Sequence, residues 1–263
     1  MKLIPLTQAH IESPMWNSAD EFEHMHGRLT WHLHTPYAHA ICAEQYEEVM
    51  GIGTATRFGD SARITACKLV PGHDGAAVRA ALVSTLLEQL LAQGCTAFTV
   101  TVPPDEVPHW EALEFVAQEP LLKYSGGRFY QAVHPDVVWI EPQHRLTILH
   151  MDKQASGEDR KQLLLEHEYI GRAYMDGRTV RGFALALLGN ALIVADSPTV
   201  GLELQRWIFP TQESILVPEG NAAAHAHLQE RGYNAEVVGV RMVRGEARPQ
   251  RTANIFAEPF GPI

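Results

Sequence analysis

The chain has 263 residues, of which 46% are hydrophobic and 20% charged, and these values are ordinary for globular proteins. The length favours two domains, and no apolar run approaches the about 20 residues that cross a bilayer, so we expect a soluble, cytoplasmic protein. A formal net charge of -10 argues against nucleic acid or an anionic membrane as partner, because both select a basic surface.

The first part of the chain predicts short helices followed by a strand meander. Residues 11–34 carry apolar side chains at loose helical intervals, with a break expected at Gly27. Helical spacing of apolar residues predicts a helix over 75–93, which Gly94 ends. Partial alternation and β-branched residues predict four strands, at 38–44, 48–58, 62–70 and 95–102. The three cysteines form no C-x-x-C pair and predict free thiols.

The second part repeats this order. Residues 107–133 predict a short helix and two strands, and residues 134–145, with two prolines, are the predicted linker. Beyond the linker we predict helix, hairpin, helix, strand, helix and strand, with Asn221 capping the last helix and Gly232 ending it. Two tandem copies of one α/β plan explain this repetition.

Two segments resemble the GNAT superfamily of acyl-CoA-dependent N-acetyltransferases. "LVPGHDGAAVRAAL" (69–82) resembles its central strand end, phosphate loop and main helix, and 217–245 resembles the C-terminal domain of some bacterial two-domain members. The resemblance implies an α/β (α+β) fold of two tandem GNAT-like domains, 1–135 and 145–263. Each would have a mixed, mostly antiparallel sheet flanked by helices.

The resemblance also implies acetyl-CoA as cofactor, with its pyrophosphate on backbone N–H groups. N–H groups at a helix N-terminus attract phosphate when the side chains there are small. Two residues depart from the family pattern. Asp74 can instead be a helix N-cap, and Arg79 can contact phosphate, cover the helix surface or block the cofactor. The predicted cofactor-binding residues are Leu69, Val70, Gly75, Ala76, Ala77, Val78 and Arg79.

Acetyl transfer needs a neutral amine, a polarised thioester carbonyl and often an acid for the leaving thiolate. In the family that acid is commonly a tyrosine before a Gly-Phe pair, but Trp110 and Glu114 stand at the corresponding places here. Tyr124 is the alternative acid, unless it is a core tyrosine. Glu44, near a turn, is a candidate base, unless it is merely solvated.

Five histidines lie within sixteen positions, and they are His24, His26, His32, His34 and His39. In an extended segment, H-x-H places both imidazoles on one face. Without a nearby cysteine or an H-E-x-x-H arrangement, we predict no metal. By resemblance this region walls the acceptor side, and we take His39 as a candidate general base, with a surface role as the alternative.

The sequence therefore predicts an N-acetyltransferase acting on an amine of a small molecule or peptide, with a homodimer left open. The alternative is a non-catalytic CoA- or ligand-binding or regulatory protein that keeps the tandem fold. We predict that the second copy does not bind the cofactor. Asp196 and Pro198 stand where small residues and free N–H groups are required, and only Gly201 is permissive.

Overall fold

A computed structural model describes residues 1–12, 19–70, 75–128, 134–246 and 248–263, with secondary structure alone for 19–24 and 211. The helices are α1 (Gln8–Ile11), α2 (Ala19–His34), α3 (Gly75–Ala92), α4 (Val107–Glu111), α5 (Arg145–Ser156), α6 (Lys161–His167), α7 (Pro198–Ile208) and α8 (Ala222–Glu230). The strands are β1 (Lys2–Pro5), β2 (Ala38–Gln45), β3 (Glu48–Phe58), β4 (Ser61–Leu69), β5 (Ala97–Val102), β6 (Val116–Ser125), β7 (Val137–Trp139), β8 (Arg172–Asp176), β9 (Thr179–Leu185), β10 (Leu192–Ala195), β11 (Ser214–Pro218), β12 (Asn234–Gly245) and β13 (Ile255–Ala257).

These strands form two sheets within the described residues. The first has the order β1-β2-β3-β4-β5-β12-β6-β11, and the second has the order β13-β10-β9-β8-β7. Most neighbouring strands are antiparallel, whereas β4 and β5 are parallel. The mixed, mostly antiparallel architecture predicted from the sequence is therefore confirmed.

The two halves of the chain share strands of the first sheet. Strand β12, from the second half, lies between β5 and β6 of the first half and pairs with both. Strand β11 of the second half pairs with the other edge of β6. Two strands of the second half thus complete the first sheet, and their backbone hydrogen bonds fix the position of the halves relative to each other.

Helix α3 covers one face of β2, β3 and β4. It has the length and hydropathy of a membrane-spanning helix, but its inner face is buried against this sheet. Full burial of one leucine side chain on this inner face stabilises the folded state by roughly 1.5–3 kcal/mol. Gly94, at φ 87°, ends the helical segment as predicted. The buried side chains of α3 are Val78, Leu82, Val83, Leu86, Leu87 and Leu90.

Two local predictions need correction. Helix α2 continues through Gly27, because one glycine costs only about 1 kcal/mol and α2 packs against β2 and β3. The predicted linker contains β7, which pairs with β8 in the second sheet. Its strand residues, Val137, Val138 and Trp139, follow directly on the polar stretch at 134–136.

Candidate active site

Strands β4 and β5 diverge halfway along the first sheet. Their ladder has the pairs Ser61 with Ala97, Ala62 with Phe98 and Arg63 with Thr99, and then it stops. Strand β5 continues in register with β12. The edge of β4 beyond this point therefore has no ladder with β5 among the described residues.

A β-bulge lies where the strands separate. On β3, Thr54 faces Ala66 and Ala55 faces Ile64, so Thr65 of β4 has no counterpart. A bulge takes backbone groups out of the ladder and redirects side chains, and bulges are common beside active sites. This bulge presents Thr65 to the gap between the halves.

A cavity of about 840 Å³ opens at the bulge. One wall comes from α2, the floor from β4 and β5, and the opposite wall from the second half and from residues 259–263. This volume lies in the range of about 300–1,000 Å³ that is typical of small-molecule sites. The bulge therefore faces a cavity large enough for a small-molecule substrate.

His32 contacts the bulge inside this cavity. Its Nδ1 lies 2.7 Å from the carbonyl oxygen of Arg28, and its Nε2 lies 2.7 Å from Thr65 Oγ1. Because a carbonyl only accepts, Nδ1 carries the hydrogen, and in the neutral ring Nε2 accepts from the Thr65 hydroxyl. Thr54 Oγ1, at 2.8 Å, then donates to Thr65. Burial lowers the pKa of His32 to about 4, so the ring is neutral near pH 7.

Arg63 fixes the cavity floor against the second half. Its guanidinium lies 3.3 Å from Glu158 and 3.4 Å from Glu258, and Thr99 donates to Glu158 at 3.0 Å. The Arg63 and Glu158 side chains are almost fully buried. Although burial opposes ionisation, the Arg63 charge and its neighbours hold the pKa of Glu158 below its usual value. The floor is thus a buried ionic cluster that spans both halves.

The predicted cofactor site lies at the N-terminus of α3, which follows the end of β4 in the chain. Residues 71–74 of its loop, including the N-cap candidate Asp74, lie outside the described residues. Gly75 is half-buried and Ala76 and Ala77 are exposed, whereas Val78 is buried in the core. The first turn of α3 therefore presents small side chains, which fits a phosphate ligand.

Arg79 is held by an ion pair. Its Nη2 lies 2.8 Å from Glu106 Oε1, in the segment that follows β5, and both side chains are partly buried. It also hydrogen-bonds Cys67 at the end of β4, where burial raises the thiol pKa to about 12. Of the three roles considered for Arg79, phosphate contact would require it to leave Glu106. Leu69 and Val70, at the end of the same strand, are partly buried.

The structure does not bring the three candidate catalytic residues together, and none of them lines the cavity. Tyr124 is fully buried among core residues of the second half, and its hydroxyl lies 2.7 Å from His225 Nδ1. Glu44 lies on β2 opposite Lys2 of the edge strand. Burial lowers the pKa of His39, which has a hydrogen bond with Gln93. The roles assigned to these residues remain predictions.

The histidine cluster contained the imidazole that does line the cavity. His32 is one of its five members. The condition for H-x-H to place both imidazoles on one face, an extended segment, is not met, because His26, His32 and His34 lie on helix α2. On a helix, positions i and i+2 point to different sides. The side chain of His24 lies outside the described residues. Arg28, one turn before His32, carried no motif that could have identified it.

The corresponding gap in the second copy is filled by β13. This strand pairs with β10, and the backbone N–H of Glu258, next to β13, donates to the carbonyl oxygen of Leu216 on β11 at 2.8 Å. Asp196, before α7, binds Arg181. A Cβ at Gly201 would clash with the Phe256 ring of β13. The helix start of this copy is thus packed against protein.

Comparison with known proteins shows which class of proteins this chain resembles. Residues 148–257 match the family model of the acetyltransferase (GNAT) domain. No curated protein sequence matches the chain. The chain has the fold of a tandem GNAT protein, so the resemblance predicted from the sequence is confirmed, and the domain match together with the fold supports acyl transfer in general.

Two solved structures show the fold over nearly the whole chain. A Pyrococcus horikoshii protein with a provisional acetyltransferase assignment is 19% identical, with a TM-score of 0.82 over 97% of this chain and 93% of that chain. A tandem GNAT protein from the clavulanic acid biosynthesis pathway is 13% identical, with a TM-score of 0.59 over 95% of this chain and 99% of that one.

Proposed function

We propose that the protein is an N-acetyltransferase that transfers an acetyl group from acetyl-CoA to an amine held in the cavity. One observation carries this proposal: the β4–β5 ladder ends at Arg63 and Thr99, and the bulge at Thr65 faces a cavity of about 840 Å³. A thioester placed in the gap between the strands would meet an amine from the cavity side.

The donor would bind along the gap, with its phosphates at the first turn of α3. Gly75 and Ala76 leave backbone N–H groups accessible to phosphate oxygens, and the partial positive charge of the helix end favours them. The unladdered edge of β4 offers backbone groups to the remainder of the donor. A backbone N–H at the bulge would polarise the thioester carbonyl.

In the transfer step the neutral amine attacks the thioester carbonyl. A C–N bond forms, the C–S bond breaks, the amine loses a proton and the thiolate leaves and gains one. His32 is a weak base because burial lowers its pKa, so we assign Thr65 and His32 to orienting the amine. The amine proton then leaves through the open cavity.

Two measurements test the proposal. Calorimetric titration with acetyl-CoA measures donor binding, and release of the free thiol of CoA in the presence of amines measures transfer. We expect saturable binding of acetyl-CoA and amine-dependent thiol release. The proposal would be abandoned if the folded protein bound no acetyl-CoA.

A non-catalytic ligand-binding or regulatory protein is the second candidate. The segment after β13 favours this candidate, because it binds to β5 where the donor would have to lie. There the backbone N–H of Ile263 donates to the carbonyl oxygen of Thr101 at 3.1 Å, beyond the last β4–β5 pair. Trp110, which replaces the family's usual acid, is fully buried against Phe115. Binding of acetyl-CoA without thiol release for any amine would support this alternative.

A further inference from the structure

We infer that the acceptor is an amine that also carries a carboxylate on an apolar body, as an amino acid or short peptide does. This inference rests on the proposed transfer reaction and specifies its acceptor. It comes from the charges and apolar surfaces that the two halves bring to the cavity.

The cavity lining is opposite in sign to the whole chain. Three cationic side chains line it, Arg28, Arg63 and Lys123, and none of the described side chains in its wall is a carboxylate. The chain as a whole has 31 acidic and 21 basic residues. A positive concave surface in an acidic protein selects an anionic ligand.

Two of these cations remain available to a ligand. Arg63 is already paired with Glu158 and Glu258. Arg28 and Lys123 are solvent-accessible, and neither makes an ion pair with a described residue. The Arg28 guanidinium donates through Nη2 to Thr65 O at 2.9 Å, which fixes it beside the bulge. Its remaining N–H groups can bind a carboxylate in the planar geometry that arginine favours.

The surroundings of Arg28 also favour an anion. The protein around its guanidinium lowers the pKa of Arg28 by desolvation, and no carboxylate of the described residues offsets that effect. A carboxylate bound there would supply the missing opposite charge. The ion pair between this carboxylate and Arg28 would be stronger than an ion pair at an open surface, because the cavity restricts water.

Apolar side chains from both halves form the rest of the wall. Trp31 of α2 and Phe260 lie on different segments of it, and Leu163 and Leu188 come from the second half. Such a surface binds an aliphatic or aromatic body by burying it from water. It offers little to a fully polar acceptor.

The same cations assist the chemistry of the amine. A positive charge near an ammonium group disfavours its protonated form and lowers its pKa. Arg28 beside the bulge would therefore raise the neutral fraction of an amine that lies near Thr65. The acceptor's carboxylate would hold the molecule against these cations.

Matched acid and amide probes test the inference by calorimetry without acetyl-CoA. The pairs are L-phenylalanine, L-leucine and glycyl-L-phenylalanine, each with its carboxamide. We expect at least one acid to bind about tenfold more tightly than its amide, the difference of one charge-assisted hydrogen bond. Equal or tighter binding of the amide in every pair, or no binding of any acid at millimolar concentration, would overturn the inference.

Four variants locate the acid preference. Arg28→Met and Lys123→Met should each reduce it, and Arg28→Lys should retain part of it. Arg178→Met removes a charge from the exposed turn between β8 and β9, outside the cavity, and should leave it unchanged. Thermal unfolding establishes that each variant is folded. An acid preference that persists in both methionine variants would contradict the assignment.

A titration with acetyl-CoA separates this inference from its two competitors. If Arg28→Met weakened acetyl-CoA as much as the acid, the cations would hold a donor phosphate, and the inference would be wrong. If the wild-type protein bound the acid selectively but not acetyl-CoA, the proposed transfer would fail while the acid site stood. If no acid bound more tightly than its amide while acetyl-CoA bound normally, only the assignment of the acceptor would be wrong.

Discussion

Replacing Gly75 by valine tests whether the first turn of α3 holds the phosphates of acetyl-CoA. Gly75 is the first residue of α3, and an added Cβ would lie 3.4 Å from Leu69 Cδ1, an ordinary contact. Its φ is not in the positive region. The fold therefore accepts a side chain there, and the larger effect falls on the ligand.

The expected loss follows from the hydrogen bonds that the valine side chain would exclude. A hydrogen bond to a charged group is worth about 1.5–3 kcal/mol, so losing one weakens binding about tenfold to a hundredfold. Gly75→Ala is the matched control, because its single methyl group leaves more of the approach open. We expect alanine to retain most of the affinity.

Calorimetric titration with acetyl-CoA measures this loss, and thermal unfolding measures the stability of each variant. A change of glycine at a helix start alters stability by about 1 kcal/mol or less. A folded Gly75→Val protein that binds acetyl-CoA as tightly as the wild type would refute the location of the phosphate site.

Three further changes test other parts of the site. The free energy of unfolding should fall by up to about 3 kcal/mol as the pH falls from 6.5 to about 4, because unfolded His32 binds a proton that the folded ring does not. In urea titrations His32→Gln should remove this fall, whereas His34→Gln, at an exposed position on the same helix, should preserve it. Arg79→Ala should lower stability by about 1 kcal/mol by removing the ion pair with Glu106 and leave acetyl-CoA affinity unchanged, so a tenfold loss in titration would show that Arg79 moves to a phosphate. Ile263→Asp should tighten acetyl-CoA binding by freeing the gap beside β5, and unchanged affinity would show that the donor does not use that gap.

Local signals in the sequence predicted the elements around the site well. Strand β3 has the predicted bounds 48–58, and α3 differs from its prediction by one residue at the end. Asn221 caps α8 by accepting from Ala224 N at 3.0 Å, and Gly232 has a φ of 74°. Capping, glycine conformation and alternation act over a few residues, so one segment contains the whole signal.

The features that build the cavity depend on distant parts of the chain. No segment indicates that β12 lies between β5 and β6, because strand pairing is decided by the whole sheet. The ion pairs of Arg63 also leave no local signal in the sequence, because its two carboxylate partners lie 95 and 195 residues away. Arg28 looks like an ordinary helix surface residue, and only the fold shows that it lines a cavity together with residues of the second half.

The asymmetry between the two copies follows from the path of residues 255–263. In the second copy, β13 pairs with β10, and Glu258 bonds to β11, so leaving that gap would break several backbone hydrogen bonds worth about 1 kcal/mol each. In the first copy, the same segment contributes the bond from Ile263 N to Thr101 O and a partly buried side chain. The second gap is therefore closed by the fold itself. In the first gap this segment makes one backbone hydrogen bond to β5, and displacement of that bond by the donor is what the proposed acetyl-CoA site in the first copy requires.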